Sequence, residues 1–477
     1  MTREEILAVY DQGPDAVVAL VESLLSRLTT LEERLHTLEG RLRQDSHNSS
    51  KPPATDVRRR RPRSLRTASG RPSGGQPGHV GQHLPPVSSP DQTVIHRPTH
   101  CAHCHTPLPL HGPADQGQCR QVFDLPPLGL TVTAHRALTL ACPACGAATT
   151  AAFPPGVTAP TQYGPHLLAL TTYLRDYQLL PLARTRQLLQ DLLGQPVSEG
   201  VLLAAAQQAA HRLAPCERRL RQALRRAPVL HLDETGGYVA GARWWLHTAS
   251  TPTLTLYTLS PHRGRQATER LGLLRAFAGV AVHDAYPTYF VHPCAHALCN
   301  VHHLRELTFL AEEEHLVWAA RLKRLLLAMQ RAVADARTRG QTALREPVRR
   351  TFLRQYGQLL AQGFAQHAGV PRAPGSQRRP RQSKARNLLE RLRDRRQAVL
   401  RFLTNFAVPF DNNLAERDLR MLKVQQKIAG CFRTAAGGAQ FCRIRSYLST
   451  AVKQGVGAYH ALQQLFQGQP FLPVVDT

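Results

Sequence analysis

The sequence predicts a multidomain chain: a long helix, a small cysteine-bearing domain, a helical domain, and an α/β core with a helical insertion. Three observations predict it. Apolar residues repeat at heptad spacing near the start, two C-x-x-C pairs follow, and from Pro228 the apolar pattern switches to period two before returning to helix. At 477 residues the chain is too long for one core. It has 60 Lys and Arg against 33 Asp and Glu, for a net charge of +27. That balance implies a polyanionic partner, nucleic acid before a membrane surface, because no basic amphipathic helix stands out.

Residues 1–45 read as a leucine-zipper-like helix. Val17, Val21, Leu24, Leu28, Leu31, Leu35, Leu38 and Leu42 form a narrow seam at alternating spacings of four and three. Such a seam predicts self-association over a helix folded back on its own protein. Residues 46–92 read as a disordered basic linker, rich in Pro and Gly and carrying Arg58, Arg59, Arg60 and Arg61. Those arginines are candidate phosphate contacts, with a solvated spacer as the alternative. Residues 93–156 carry Cys101, Cys104, Cys142 and Cys145. Two such pairs predict a structural Zn²⁺ held by four thiolates in a zinc ribbon-like domain, with strands at 121–125 and 131–139. Cys119 and His105 are substitute ligands.

Residues 160–226 read as a helical DNA-binding or connecting domain. Gly194 and Pro196 separate two helices, and Ser198 caps the second. The apolar run from Val201 favours a plain hairpin over a groove-reading helix. Residues 227–300 begin the core: strands at 229–233, 238–248 and 253–259, a helix at 266–277, a strand at 279–284 and a short strand at 296–299. Gly236-Gly237 and Thr251-Pro252 supply the turns. Residues 301–403 form the helical insertion, 404–465 complete the core, and 466–477 are a tail. This layout is that of an RNase H-like α/β catalytic core, in which the first and fourth strands lie side by side.

Asp233, Asp284 and Glu416 are the candidate catalytic and metal-binding residues. The two aspartates are expected at the ends of adjacent strands, and Glu416 opens a basic helix. Carboxylates so placed need a cation. Two Mg²⁺ (or Mn²⁺) ions roughly 3.5–4 Å apart would suit phosphodiester cleavage and joining. Arg420 and Lys423 share the helix face of Glu416 and are candidate DNA contacts; an intrahelical Glu416–Arg420 pair is the alternative. Glu234 follows Asp233 and so points to the opposite face. Cys294, His296, Cys299, His302 and His303 read as a hydrogen-bonded strand-to-helix junction before a second metal site. No apolar run is long enough to cross a membrane and no signal-peptide core begins the chain, so a cytoplasmic, nucleoid-associated protein is expected.

The chain resembles the large transposases of the insertion-sequence-sixty-six family. The matching blocks include Asn48 to Pro53, Gly74 to His79, both C-x-x-C pairs, Tyr163-Gly164-Pro165 and Leu232-Asp233-Glu234-Thr235. The C-terminal blocks match best: Asp411 to Arg420, Gly430 to Thr434 and Arg443 to Thr450. The resemblance implies a D-D-E transposase acting at insertion-sequence ends, with Asp233, Asp284 and Glu416 as its acids and a zinc domain that helps bind terminal inverted repeats. It also implies accessory proteins of the element as partners, beside terminal and target DNA. Two identical ends suggest a homo-oligomer. Cys299 and His302 look like a Cys-x-x-His element found after the second Asp in several transposase families. A catalytically decayed DNA-binding protein and a metal-dependent nuclease on the same core are the alternatives.

Overall fold

The structure, a computed structural model, describes residues 2–42, 44, 48, 85–108, 119–126, 128–371, 380 and 382–474. Most of the basic linker, including Arg58 to Arg61, lies outside the described residues. Two helices open the chain, α1 (Arg3–Tyr10) and α2 (Pro14–Leu42). Thr2 and Glu5 close a reciprocal capping box on α1. The heptad seam falls on α2, and Val21, Leu24, Leu28, Leu31, Leu35 and Leu38 are 47–61% exposed. These six seam residues are therefore not packed against the rest of the described residues.

A small hairpin follows, β1 (Thr139–Ala141) against β2 (Ala148–Thr150), antiparallel. The strands expected at 121–125 and 131–139 do not form among the described residues, apart from Thr139. Val122 and Val132 are each 90% exposed. Alternation alone does not make a strand when no neighbour supplies ladder bonds and no core receives the apolar face.

Four helices come next: α3 (Pro165–Thr172), α4 (Leu182–Leu193), α5 (Glu199–Arg212) and α6 (Ala214–Arg226). Gly194 closes α4 at φ 68°, a left-handed conformation that favours glycine. The Ser198 hydroxyl accepts from the Val201 N–H and starts α5. The core sheet holds β3 (Val229–Val239), β4 (Ala242–Ser250), β5 (Thr255–Ser260), β6 (Val280–His283) and β7 (Ala295–Leu298), in spatial order β5-β4-β3-β6-β7. The first three are antiparallel, and β3, β6 and β7 are parallel. Helix α7 (Arg265–Leu271) makes the crossover from β5 to β6.

One turn differs from expectation. β3 runs through Asp233 and Gly236-Gly237 to Val239, so Asp233 lies within a strand rather than at its end. The chain reverses at Ala240 (φ 48°) and Gly241 (φ 78°). Two positive φ values in a two-residue loop match the twist of the flanking strands. Gly237 serves packing instead: a Cβ there would stand 3.1 Å from the Gln426 side chain.

The insertion is α8 (Asn300–Glu312), α9 (Val317–Thr338), α10 (Glu346–Gln366), α11 (Lys384–Asp394) and α12 (Arg396–Val399). It buries Trp318, Leu322, Met329, Tyr356 and Leu389 in one core continuous with Val280, Val282 and Leu298 of the sheet. Three helices end the chain: α13 (Asn413–Ala429), α14 (Ala435–Lys453) and α15 (Ala458–Phe466). One sheet face packs Leu230, Leu232, Ala249 and Leu256 against Leu220 and Leu224 of α6. The other packs Leu246, Tyr257 and Leu259 against Leu419 and Leu422 of α13 and Cys442 of α14. The chain is thus multidomain, with helices on both faces of a mixed sheet. The alanine face of α5 (Ala205, Ala206, Ala209, Ala210) is buried with Ile444 and Leu448 of α14. That makes α5 a packing helix on this face. No helix among the described residues is long and apolar enough to cross a membrane.

Candidate active site and metal-binding positions

The parallel pairing of β3 with β6 sets Val229, Leu230 and His231 against Val280, Ala281 and Val282. Two residues further along each chain stand Asp233 and Asp284. Alternation gives both the parity of Val229 and Val280, while Leu230 and Leu232 pack on the other face. Both carboxyls are pushed up. Burial is the main cause at Asp233, followed by the charges of Glu234, Asp284 and Glu416. Asp284 is raised to about 6 by burial first and by the Glu234 charge next. These are like charges crowded in a poorly solvated place. After Asp284 the chain turns at Ala285, whose φ of 58° is unfavourable for a residue with a Cβ.

Glu416 stands in the first turn of α13. Its Oε1 is buried and has no hydrogen-bond partner among the described residues. No Glu416–Arg420 ion pair forms among them. The residue that fixes this helix start is Asn412, which is buried. Its Nδ2 donates to the Leu232 carbonyl at 2.8 Å, and its Oδ1 meets His231 Nδ1 at 2.9 Å. Its backbone N–H points at Cys299 Sγ, 3.3 Å away. One asparagine thereby joins α13, β3 and the start of α8.

Glu234 lies on the opposite strand face, as alternation requires. There its Oε1 accepts from Arg263 Nε (2.9 Å) and Nη2 (2.8 Å), and its Oε2 accepts from the Tyr289 hydroxyl at 2.5 Å. Arg263 is also sandwiched by the Trp245 and Tyr286 rings, 4.8 and 4.2 Å from their centroids. Sequence reasoning did not find Asn412, Arg263 or Tyr289. Only Asn412 left a signal, as a polar residue just before a helix next to the candidate acid.

The Cys/His cluster divides. His283 Nε2 meets His296 Nδ1 at 3.0 Å, and His303 Nδ1 meets Asn300 Oδ1 at 3.1 Å. These form the expected hydrogen-bonded junction. Cys299 and His302 instead face Glu416: one ligand atom from each lies within 4.8 Å of the others. Among the described residues this is the only such group. Burial pushes the Cys299 thiol up to about 12 and His302 down to about 4. Asp233, Asp284 and Glu416 therefore share an electrostatic neighbourhood without closing on one point.

The two cysteine knuckles repeat one design. Cys101 N–H donates to the Thr106 carbonyl and His105 N–H to the Cys101 carbonyl. Cys142 N–H likewise donates to the Ala147 carbonyl, and Gly146 N–H to the Cys142 carbonyl. His105 and Gly146 occupy matching left-handed positions, φ 58° and 73°. The Thr106 hydroxyl, 3.2 Å from Cys104 Sγ, is the main cause holding that thiol at about 7. Backbone N–H groups of Cys145 and Ala144 lower Cys142. One cysteine of each pair, Cys104 and Cys142, thus favours thiolate, the form that binds metal. The four sulfurs do not form one tight group among the described residues. On α13, Arg420 is exposed, while Lys423 Nζ donates to the Gly236 carbonyl at 2.9 Å.

A mixed α/β sheet, a pair of half-buried acids and a domain with two cysteine knuckles define a multidomain protein. The family model of the transposase IS66 family matches residues 160–440, more than half of the chain, and the chain belongs to that family. The zinc-finger binding domain of transposase IS66 matches residues 98–146, and a family of unknown function matches residues 10–85. No curated protein matches the chain. Family membership makes this a transposase, a DNA-processing and DNA-binding protein with a structural zinc domain.

Proposed function

We propose that the chain is a D-D-E transposase whose RNase H-like core cuts at insertion-sequence ends and joins the freed 3′-hydroxyls to target DNA. The observation that carries this is the β3–β6 register, which sets Asp233 beside Asp284 while the Glu416 charge reaches Asp233. The donor set fits Mg²⁺: hard carboxylate oxygens, half-buried, with the Asp284 and Glu416 charges raising the proton affinity of Asp233. The nearby Arg263 is already paired to Glu234. Asp233, Asp284 and Glu416 would hold two such ions, which supply activation of the attacking oxygen and stabilisation of the leaving oxygen. Asn412 and His231 position the start of α13. Arg420 and the outer face of α13 offer phosphate contacts beside it.

Cys101, Cys104, Cys142 and Cys145 would hold the structural Zn²⁺, and their domain would recognise the terminal repeats. The exposed α2 seam supports pairing of two copies across the two ends. Strand transfer with Mg²⁺ tests the core reading. Asp233→Ala, Asp284→Ala and Glu416→Ala should each lower it at least on the order of 10²-fold. Full activity in all three would refute the site, and cleavage without joining would favour the nuclease.

A further inference from the structure

We propose that Cys299, His302 and Glu416 form a second transition-metal site, for Zn²⁺ or a similarly soft divalent cation, which clamps the start of α13 to the start of α8. Cys299 immediately precedes α8, His302 lies in its first turn, and Glu416 lies in the first turn of α13. The two helix starts are already joined by backbone bonds. Asn300 N–H donates to the Phe410 carbonyl at 3.0 Å, and Asn412 N–H points at Cys299 Sγ. Three ligand atoms from these residues lie within 4.8 Å of one another. Donors of a tetrahedral zinc at ~2.0–2.3 Å stand about 3.3–3.8 Å apart, so only a small side-chain adjustment separates this group from a bound geometry.

Two independent features point to a ligand. His302 Nδ1 and Glu416 Oε1 are both buried without a hydrogen-bond partner among the described residues. Leaving such atoms unpaired costs about 1–3 kcal/mol each, and a cation would satisfy both. The donor types also discriminate: one sulfur, one nitrogen and one oxygen suit zinc, whereas magnesium selects oxygen alone. The Asn412 N–H and the positive ends of two helices stabilise a thiolate and a carboxylate here. On binding, the Cys299 thiol loses its proton to solvent and the Cys299–metal bond forms, with no change of oxidation state. Cys299 and His302 are then positioning residues that set where Glu416 stands relative to Asp233.

The site would hold whether or not the D-D-E reading is right, and the experiment separates the two. The full-length chain, purified with zinc and freed of unbound metal, should carry about two ions per chain, one in the knuckles and one here. Cys142→Ser should remove only the first, and Cys299→Ser or His302→Gln only the second. In Cys142→Ser loaded with Co²⁺, a sulfur-to-cobalt charge-transfer band should appear, and it should vanish in the Cys142→Ser/Cys299→Ser double variant. His302→Gln guards against misfolding of the Cys299 variant, with circular dichroism matching the parent. An unchanged ion count in folded Cys299→Ser and His302→Gln, or no cobalt band in Cys142→Ser, would overturn the proposal. Asp233→Asn should lose strand transfer yet keep this ion. If it loses activity and the ion was never there, only the metal proposal fails; if the ion is there and activity persists, only the D-D-E reading fails.

Discussion

The knuckle domain and the sheet core place chemistry in opposite ways. Each knuckle closes within a handful of residues, by two backbone hydrogen bonds and one left-handed residue, and it stays exposed. Asp233, Asp284 and Glu416 are 51 and 132 residues apart in the chain. They share a neighbourhood only because two parallel strands and a distant helix pack together. A local site can therefore be lost without the core noticing, whereas the core site depends on every element that supports it.

That contrast is most exposed by function. Asp284→Ala should abolish strand transfer, by at least on the order of 10²-fold, with the knuckle zinc retained. Cys142→Ser should do the reverse to the metal, releasing the knuckle zinc, with the main unfolding transition of the core unchanged. A core that melts with Cys142→Ser would show that the two regions are not independent.

The next effect is on stability. Asp284 holds its proton more tightly in the folded chain, with a value of about 6 against the ordinary 3.8. In Mg²⁺-free buffer the folded core should lose stability as pH rises from about 4 to about 6, by up to roughly 3 kcal/mol. Asp284→Asn removes its own share of that slope and leaves the share of Asp233, so at pH 7 it should be more stable than the parent while inactive. Urea unfolding across this pH range reads it, and parallel curves for the two proteins would count against desolvation of Asp284 as the cause.

Asn412→Ala should cost about 2 kcal/mol, because it strips partners from His231 and the Leu232 carbonyl in a buried place. Strand transfer should fall with it, since α13 loses its anchor. A variant that melts like the parent would remove Asn412 from that role. The smallest effect belongs to the knuckle. Thr106→Val deletes the hydroxyl beside Cys104, so metal-free protein should alkylate more slowly at Cys104 near pH 7. An unchanged rate would leave the low value at Cys104 without its main cause.

Much of the fold is legible in the sequence because its signals are short-range. Gly194 and Ser198 bound their helices, Thr251-Pro252 turns the chain, and strand alternation sends Glu234 away from Asp233. Other strand signals mislead for the same reason. Gly236-Gly237 resembles a hairpin turn, yet the ladder with β4 runs on until Ala240-Gly241. The runs at 121–125 and 131–139 alternate like strands, yet among the described residues only the end of the second, at Thr139, joins a ladder.

By itself the sequence determined the knuckles and the heptad seam, since spacing along one chain is enough to close a turn or line a helix face, and it put forward Asp233, Asp284 and Glu416 as candidate acids. The tertiary structure alone decided that Tyr289 and Arg263 restrain Glu234, that Asn412 ties three elements together, and that Glu416 faces Cys299 and His302 as well as Asp233. Those neighbours come from different strands and helices. Their meeting depends on sheet register and helix packing, which are settled by burial across the whole domain and leave no mark at any single position.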